Sequence, residues 1–384
     1  MKVLLKTLFL TGAGYTVTLI YTYILINKAS PESISQVNIY ESYLTIISGL
    51  VSLGVVQDAA RKIASDESSW KTHYYQTQGF RMTLSLIISG LSGILYLLTH
   101  NELYLLGLSS IAIAMSGDFA LYATNKAIKG SIVAFIRSVT FSSLMLGIVF
   151  YSSTTINALQ ITAAWAISFI ACGWLSARYL ETKYAVTPSM PSATEFKTIG
   201  LIAVLIFIYN NLRPSFILLI NDDITIDEHV YYFELYKIYF ILFSLKRVIT
   251  QVYYKKIITE NSSARYDAII LGTLMFAIAI LWSSKFIINY WSIPLYSLSY
   301  KILIDLTIIT LLSSFFSTSF TKLFSLNRDI LIALPIALAV LFIVAASYFL
   351  KNDAAPVSYY VYTLGVAELL IGLASVLLLR AVKK

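Results

Sequence analysis

Seven ionisable residues lie inside long apolar runs: Arg137, Arg213, Lys237, Glu41, Asp118, Asp305 and Glu368. A charge at the bilayer centre costs at least about 2.5–3.5 kcal/mol on insertion scales, and such groups usually face a cavity or a partner. Bases in a wet cavity offer charge-assisted hydrogen bonds to an anion. Arginine suits this better than lysine, because its planar fork binds oxygens in pairs. A titratable acid in the same place is what coupling to a proton or ion gradient requires. Other chemistries find no support in the chain. His73, His100 and His229 are far apart, and no His/Cys/Asp cluster has metal-ligand spacing. There is no P-loop and no nucleophile elbow, so neither a cofactor nor catalysis is expected. Cys172 is the single cysteine, which excludes a disulfide framework.

Each of these residues also has a plainer reading. At 1.5 Å per residue, Arg137 lies about 9 Å from the cytoplasmic end of its run, and Lys237 about 10 Å from the outer end of its own. Both could snorkel to the nearer interface instead of lining a cavity. Glu234 and Lys237 stand at i, i+3, and Lys301 and Asp305 at i, i+4, so each couple could pair on one helix face. Arg213, about 10 Å from an outer end, precedes Pro214. That proline frees a carbonyl and bends the helix, which points to a cavity wall. Glu368 has Leu364, Gly365, Ile371 and Gly372 as its neighbours one turn away, so it must be protonated, face a cavity or meet another helix. Arg81, Lys246 and Arg247 lie close enough to inner ends to read as interface anchors.

The elements that must carry these residues are membrane helices. Of 384 residues, 58% are hydrophobic and only 12% charged, and the mean hydropathy is +0.76. A soluble domain is nearer about a quarter charged. A span needs about 20 apolar residues, and twelve are predicted: 4–26, 37–57, 79–99, 103–123, 131–151, 156–177, 197–220, 230–251, 268–288, 297–319, 329–350 and 357–379. The runs are continuous rather than alternating, which excludes a β-barrel. The first exceeds a signal-peptide core and lacks a small-residue cleavage site, so an uncleaved helix is expected. With the N-terminus inside, 21 of the 28 basic residues fall at the cytoplasmic face. Four fall outside (Lys28, Lys285, Lys301 and Lys351), and three within spans. The positive-inside bias therefore places both termini in the cytoplasm. It also accounts for the net charge of +8 without nucleic acid, for which no soluble stretch is long enough.

QDAARKI at 57–63 returns as QVYYKKI at 251–257, closing the second and eighth spans 194 positions apart. A basic anchor alone is commonplace; the shared Gln and Ile favour a parallel repeat with its axis along the membrane normal. The expected fold is thus an all-α integral membrane protein of two six-helix bundles around a central cavity. Residues 1–184 form the first bundle, 185–196 a cytoplasmic linker with Pro188, Ser189 and Pro191, and 197–384 the second.

Several stretches carry a resemblance: Gly12, Ala13 and Gly14 in the first span, LVSLGVVQDAARKIA at 50–64, Arg213 in an apolar seventh span, and ILID at 302–305. Together the chain resembles the Wzx-type flippases of lipid-linked oligosaccharides, within the multidrug/oligosaccharidyl-lipid/polysaccharide exporter superfamily. It departs at Ile304, where the family carries Gly before the Asp, so only Asp305 carries over there. The resemblance implies a cationic cavity and an undecaprenyl-pyrophosphate-linked oligosaccharide as substrate in a bacterial inner membrane. A polysaccharide polymerase and a chain-length regulator are candidate partners beside the membrane lipids. Arg213, Arg137 and Lys237 would then bind pyrophosphate, and Glu368, Asp118, Asp305 and Glu41 are candidates for ion or proton coupling. Two other readings compete. A multidrug or cation antiporter of the same superfamily would need a mainly acidic site. An O-antigen polymerase would need a large outer loop, which this chain lacks.

Overall fold

A computed structural model describes residues 2–53, 55–65, 68–151, 156–184, 186–190, 224–253, 257, 264–290, 299–324, 329–352 and 357–382, together with Val204, Phe207, Ile208, Asn211 and Leu218. Every regular element among them is helical. They form two compact units, Met1–Leu219 and Ile220–Lys384.

The first unit holds α1 (Lys2–Lys28), α2 (Pro31–Ser52), α3 (Val55–Ser65) and α4 (Trp70–Thr99). A 3₁₀ segment (Glu102–Ser109) follows, then α5 (Ser110–Met115), α6 (Phe119–Ala123), α7 (Ala127–Tyr151) and α8 (Ala158–Leu180). The second holds α9 (Ile226–Val252), α10 (Ala264–Tyr290), α11 (Tyr300–Ser314), α12 (Ser317–Phe324), α13 (Asp329–Asn352) and α14 (Val357–Val382). Among the described residues nine segments are long and apolar enough to cross a membrane. The expected 37–57 span contains the more polar α2. The 230–251 span lies in α9, which carries Glu234, Lys237, Lys246 and Arg247. The 197–220 span lies almost wholly outside the described residues.

Local chemistry sets the helix starts. Ser30 caps α2 by accepting the Ser33 N–H (3.3 Å), with Pro31 in the first turn, where no N–H is missed. Asn157 and Gln160 form a reciprocal capping box on α8 (2.9 and 3.1 Å), and Thr225 and Glu228 form one on α9. Asn101 caps the 3₁₀ segment and Ser299 caps α11. All five caps fall at ends expected to face outward.

Three expected spans are broken. Leu53, at φ 34°, ends α2, so QDAARKI sits on the separate helix α3, where Asp58 and Lys62 pair at 2.8 Å. The 103–123 span breaks at Ser116–Asp118, and the 297–319 span at Phe315–Phe316, with Phe316 at φ 56°. Backbone groups freed inside a membrane must find partners within the protein, and these two breaks are where the buried charges gather.

Side chains divide as a bilayer demands. In the first unit, Ile63, Tyr74, Ala120, Leu121, Val133, Cys172 and Leu180 pack into one apolar cluster. On the outside, Leu98 is 74% and Phe276 68% exposed within long apolar helices, which are lipid-facing positions. Buried hydroxyls such as Ser42 and Thr22 donate to carbonyls four residues back, so they enter the helix packing without an orphaned donor.

Candidate functional site

The break in the first unit builds a charged site. Arg81 of α4 is buried and donates to the Ile113 carbonyl (2.8 Å), the Ser116 carbonyl and the Gln78 amide oxygen (2.6 Å). These carbonyls lie where α5 stops; Ile113 also accepts the Ser116 N–H (3.2 Å) and Ser116 the Gln78 side-chain amide (3.3 Å), and the guanidinium adds charged donors to both. Gly117 and Gly173 allow the fit. A Cβ on Gly117 would lie 2.5 Å from the Tyr74 hydroxyl, and one on Gly173 2.7 Å from the Met115 carbonyl.

Held this way, the break presents Asp118 to Arg137 of α7 at 3.7 Å. Their side chains are 25% and 38% exposed, so within the unit the pair borders open space and is not dry. The Arg137 guanidinium also lies over the Phe169 ring, 5.3 Å from its centre, and Tyr15 and Tyr122 are within electrostatic reach. α1 comes close to α7 here because Gly14 has no side chain: a Cβ would touch Phe135 Cα and Ser138 Cβ at 3.4 Å, and these residues flank Arg137. Within the unit Arg137 is thus tethered on one side and partly uncovered on another.

The second unit holds its charges more tightly. Asp305 of α11 is buried and accepts the hydroxyls of Tyr231 and Tyr362. Lys301 does not pair with it but lies over the Tyr231 ring at 4.8 Å. Glu368 of α14 meets another helix: Lys246 of α9 pairs with it at 3.3 Å, with only 10% and 8% of the two side chains exposed. Lys246 also donates to the Ser313 carbonyl (2.7 Å), which the α11–α12 break leaves without a helical donor. On the far side of that break, Asp267 of α10 accepts the Thr318 N–H at 2.8 Å and so caps the start of α12.

Of the other candidates, Lys237 places its ammonium 5.1 Å from the Phe233 ring centre, one turn back on α9. Glu41 lies on the buried face of α2 with Asn38 and Ser42. Arg213 lies outside the described residues. The interface-anchor reading of Arg81 and Lys246 is corrected, because both are buried and bonded to broken-helix carbonyls. Tyr362 and Asp267 were not singled out from the sequence, and Tyr231, at a span end, reads as part of an interfacial belt. A tyrosine at a span end reads equally as an interfacial belt, and Asp267 sits at a span end where a charge is unremarkable.

Every regular element among the described residues is helical, nine segments among them are long and apolar enough to cross a membrane, and the fold is like that of solved MATE transporters. The chain is similar to a structure of MATE in complex with MaL6, with a TM-score of 0.65, 12% identity and coverage of 99% of this chain and 95% of that one. An outward-facing conformation of a multidrug resistance MATE family transporter of the MOP superfamily matches with a TM-score of 0.62 and 13% identity, covering 100% and 96%. The MATE multidrug transporter DinF-BH matches at 0.63 and 13%, covering 99% and 95%. No protein-family model matches the chain, and no curated protein matches it in sequence. The likeness carries the fold alone: this is a multi-pass membrane protein with a MATE-like all-α fold.

Proposed function

We propose that the chain is a flippase that moves undecaprenyl-pyrophosphate-linked oligosaccharide from the cytoplasmic to the periplasmic leaflet of a bacterial inner membrane by alternating access. The observation that carries this is the Arg137–Asp118 pair, a partly exposed guanidinium 3.7 Å from its counter-ion. A pyrophosphate cannot cross hydrocarbon unaided, and the Arg137 fork offers it two parallel charge-assisted bonds. The arriving anion competes with Asp118 for the guanidinium, so Asp118 is a coupling candidate of this reading. Arg213 and Lys237 are the further bases of this reading, and Asp305, Glu368 and Glu41 its further acids. Both termini are placed in the cytoplasm.

The test is complementation together with reconstitution. Arg137→Ala should abolish surface polysaccharide at normal protein abundance, and Arg137→Lys should restore it in part, because a point charge loses the paired geometry. Wild-type export by Arg137→Ala would move the site to Arg213.

A second reading is favoured by a different observation. Asp305, set between the Tyr231 and Tyr362 hydroxyls, is an acid among aromatics, an arrangement suited to an organic cation. The similar structures include transporters described as multidrug. In proteoliposomes, proton-dependent efflux of a lipophilic cation that needs Asp305 but not Arg137 would favour this exporter over the flippase.

A further inference from the structure

α1 and α7 run side by side in the same direction. Gly14 packs on Phe135 and Ser138, and Tyr21 on Phe141, so the starts of the two helices lie together. Between those starts is an open groove of about 410 Å³. Leu5, Phe9 and Leu10 of α1 and Ile128 of α7 form its apolar walls, and Lys6 stands among them. Leu5 and Phe9 are largely exposed, and in a chain that spans a membrane such a surface meets lipid.

Lys6 is exposed as well, and its ammonium makes no hydrogen bond or ion pair with any described residue. The lysines of α7 that flank Ile128 are already engaged. Lys126 donates to the Tyr179 carbonyl at 3.1 Å, and Lys129 lies over the Tyr179 ring, 5.3 Å from its centre. Both add positive charge beside the groove. Neither α1 nor α7 carries a carboxylate anywhere along its length. A lysine that is only an interface anchor lays its stem on its own helix and ends in water. Lys6 instead lines an apolar slot open to lipid, in the second turn of its helix, where head groups lie.

We propose that this groove binds an anionic phospholipid of the bilayer, with an acyl chain along Leu5, Phe9 and Leu10 and the phosphate on Lys6. The phosphate is the counter-ion that the chain does not supply, and Lys126 and Lys129 strengthen the local field that holds a negative head group. A zwitterionic lipid fits the walls equally well but brings its own cation toward Lys6, so the site discriminates by charge and not by shape. Because both helices line the groove, the lipid bridges the start of α1 to that of α7. The inference does not rest on the transport reading, and its test measures no transport.

The test is photo-crosslinking of the full-length protein in nanodiscs of phosphatidylcholine. Two trace probes carry the same diazirine-bearing acyl chain, one on phosphatidylglycerol and one on phosphatidylcholine. Labelling of peptides spanning 2–12 and 126–131 is normalised to a lipid-facing stretch of α4, 86–98. The anionic probe should label them at least about five-fold more than the neutral one, which is the preference that one lysine near a negative head group supports. Lys6→Gln should bring the ratio close to one. Lys6→Arg should keep it, which separates loss of charge from damage to the helix. Lys71→Gln removes a basic residue at the start of α4, outside the groove lining, and should change nothing. Equal labelling by the two probes overturns the proposal, as does a preference that survives Lys6→Gln or falls as far with Lys71→Gln. Undecaprenyl pyrophosphate, added as a competitor, should displace the anionic probe no better than unlabelled phosphatidylglycerol does. Displacement by the pyrophosphate alone would make the groove a carrier-lipid site and overturn its assignment to a bilayer phospholipid.

Discussion

Arg81 looks in the sequence like any basic residue near the inner end of an apolar run. What distinguishes it is a helix break 35 residues later, and a one-dimensional pattern of apolar residues does not carry that pairing. The same holds for Lys246, whose carbonyl partner is 67 positions away. Arg81→Met should therefore do more harm than loss of a surface anchor. It removes charged donors from two carbonyls, at about 1.5–3 kcal/mol for each such bond, and thermal unfolding in detergent should show the drop, with Arg81→Lys in between. The glycines make a sharper contrast. Gly173→Ala pushes a Cβ to 2.7 Å from the Met115 carbonyl, whereas Gly90→Ala meets nothing within 4 Å. The first should lower the melting temperature. The second should hold or raise it, because Ala is favoured over Gly in a helix by about 1 kcal/mol. Glu368 was legible in part: with no neutralising neighbour on its own helix it had to be protonated, face a cavity or meet another helix, and which of these holds was not written in its neighbourhood.

The helix starts were legible in a way that the breaks were not. S-P at 30–31, N-x-x-Q at 157–160 and T-x-x-E at 225–228 are short signals complete within four residues, and each is used. Asn157→Ala should cost about 1 kcal/mol, measurable as a lower denaturant midpoint, since the Asn157 side chain serves α8 by accepting the Gln160 N–H. Breaks inside apolar runs give no such notice. Ser116–Gly117 is a faint cue, and Phe315–Phe316 reads as continuous helix because hydropathy is blind to φ. The interruptions are set by tertiary partners: two cations, one aspartate, and glycines that let a neighbouring backbone approach.

For the whole molecule, the fold class was readable because hydropathy and charge bias accumulate over many residues, and noise at single positions cancels. The substrate was not, because it depends on which few charges face open space. The orientation is open to direct test. A reporter active only in the cytoplasm, fused at Lys384, should be active, and a periplasmic reporter at the same site silent; the reverse would overturn the positive-inside assignment.

The Lys246–Glu368 pair also sets a clock on synthesis. Its members are 122 residues apart, so at about 5–20 residues per second the lysine emerges roughly 6–24 s before its counter-ion. Through that interval the nascent second half carries the ammonium without the Glu368 carboxylate, and burying it before that partner is made is costly. The last helix completes the pair, and chains truncated after α13 should be recognised and degraded as unfinished.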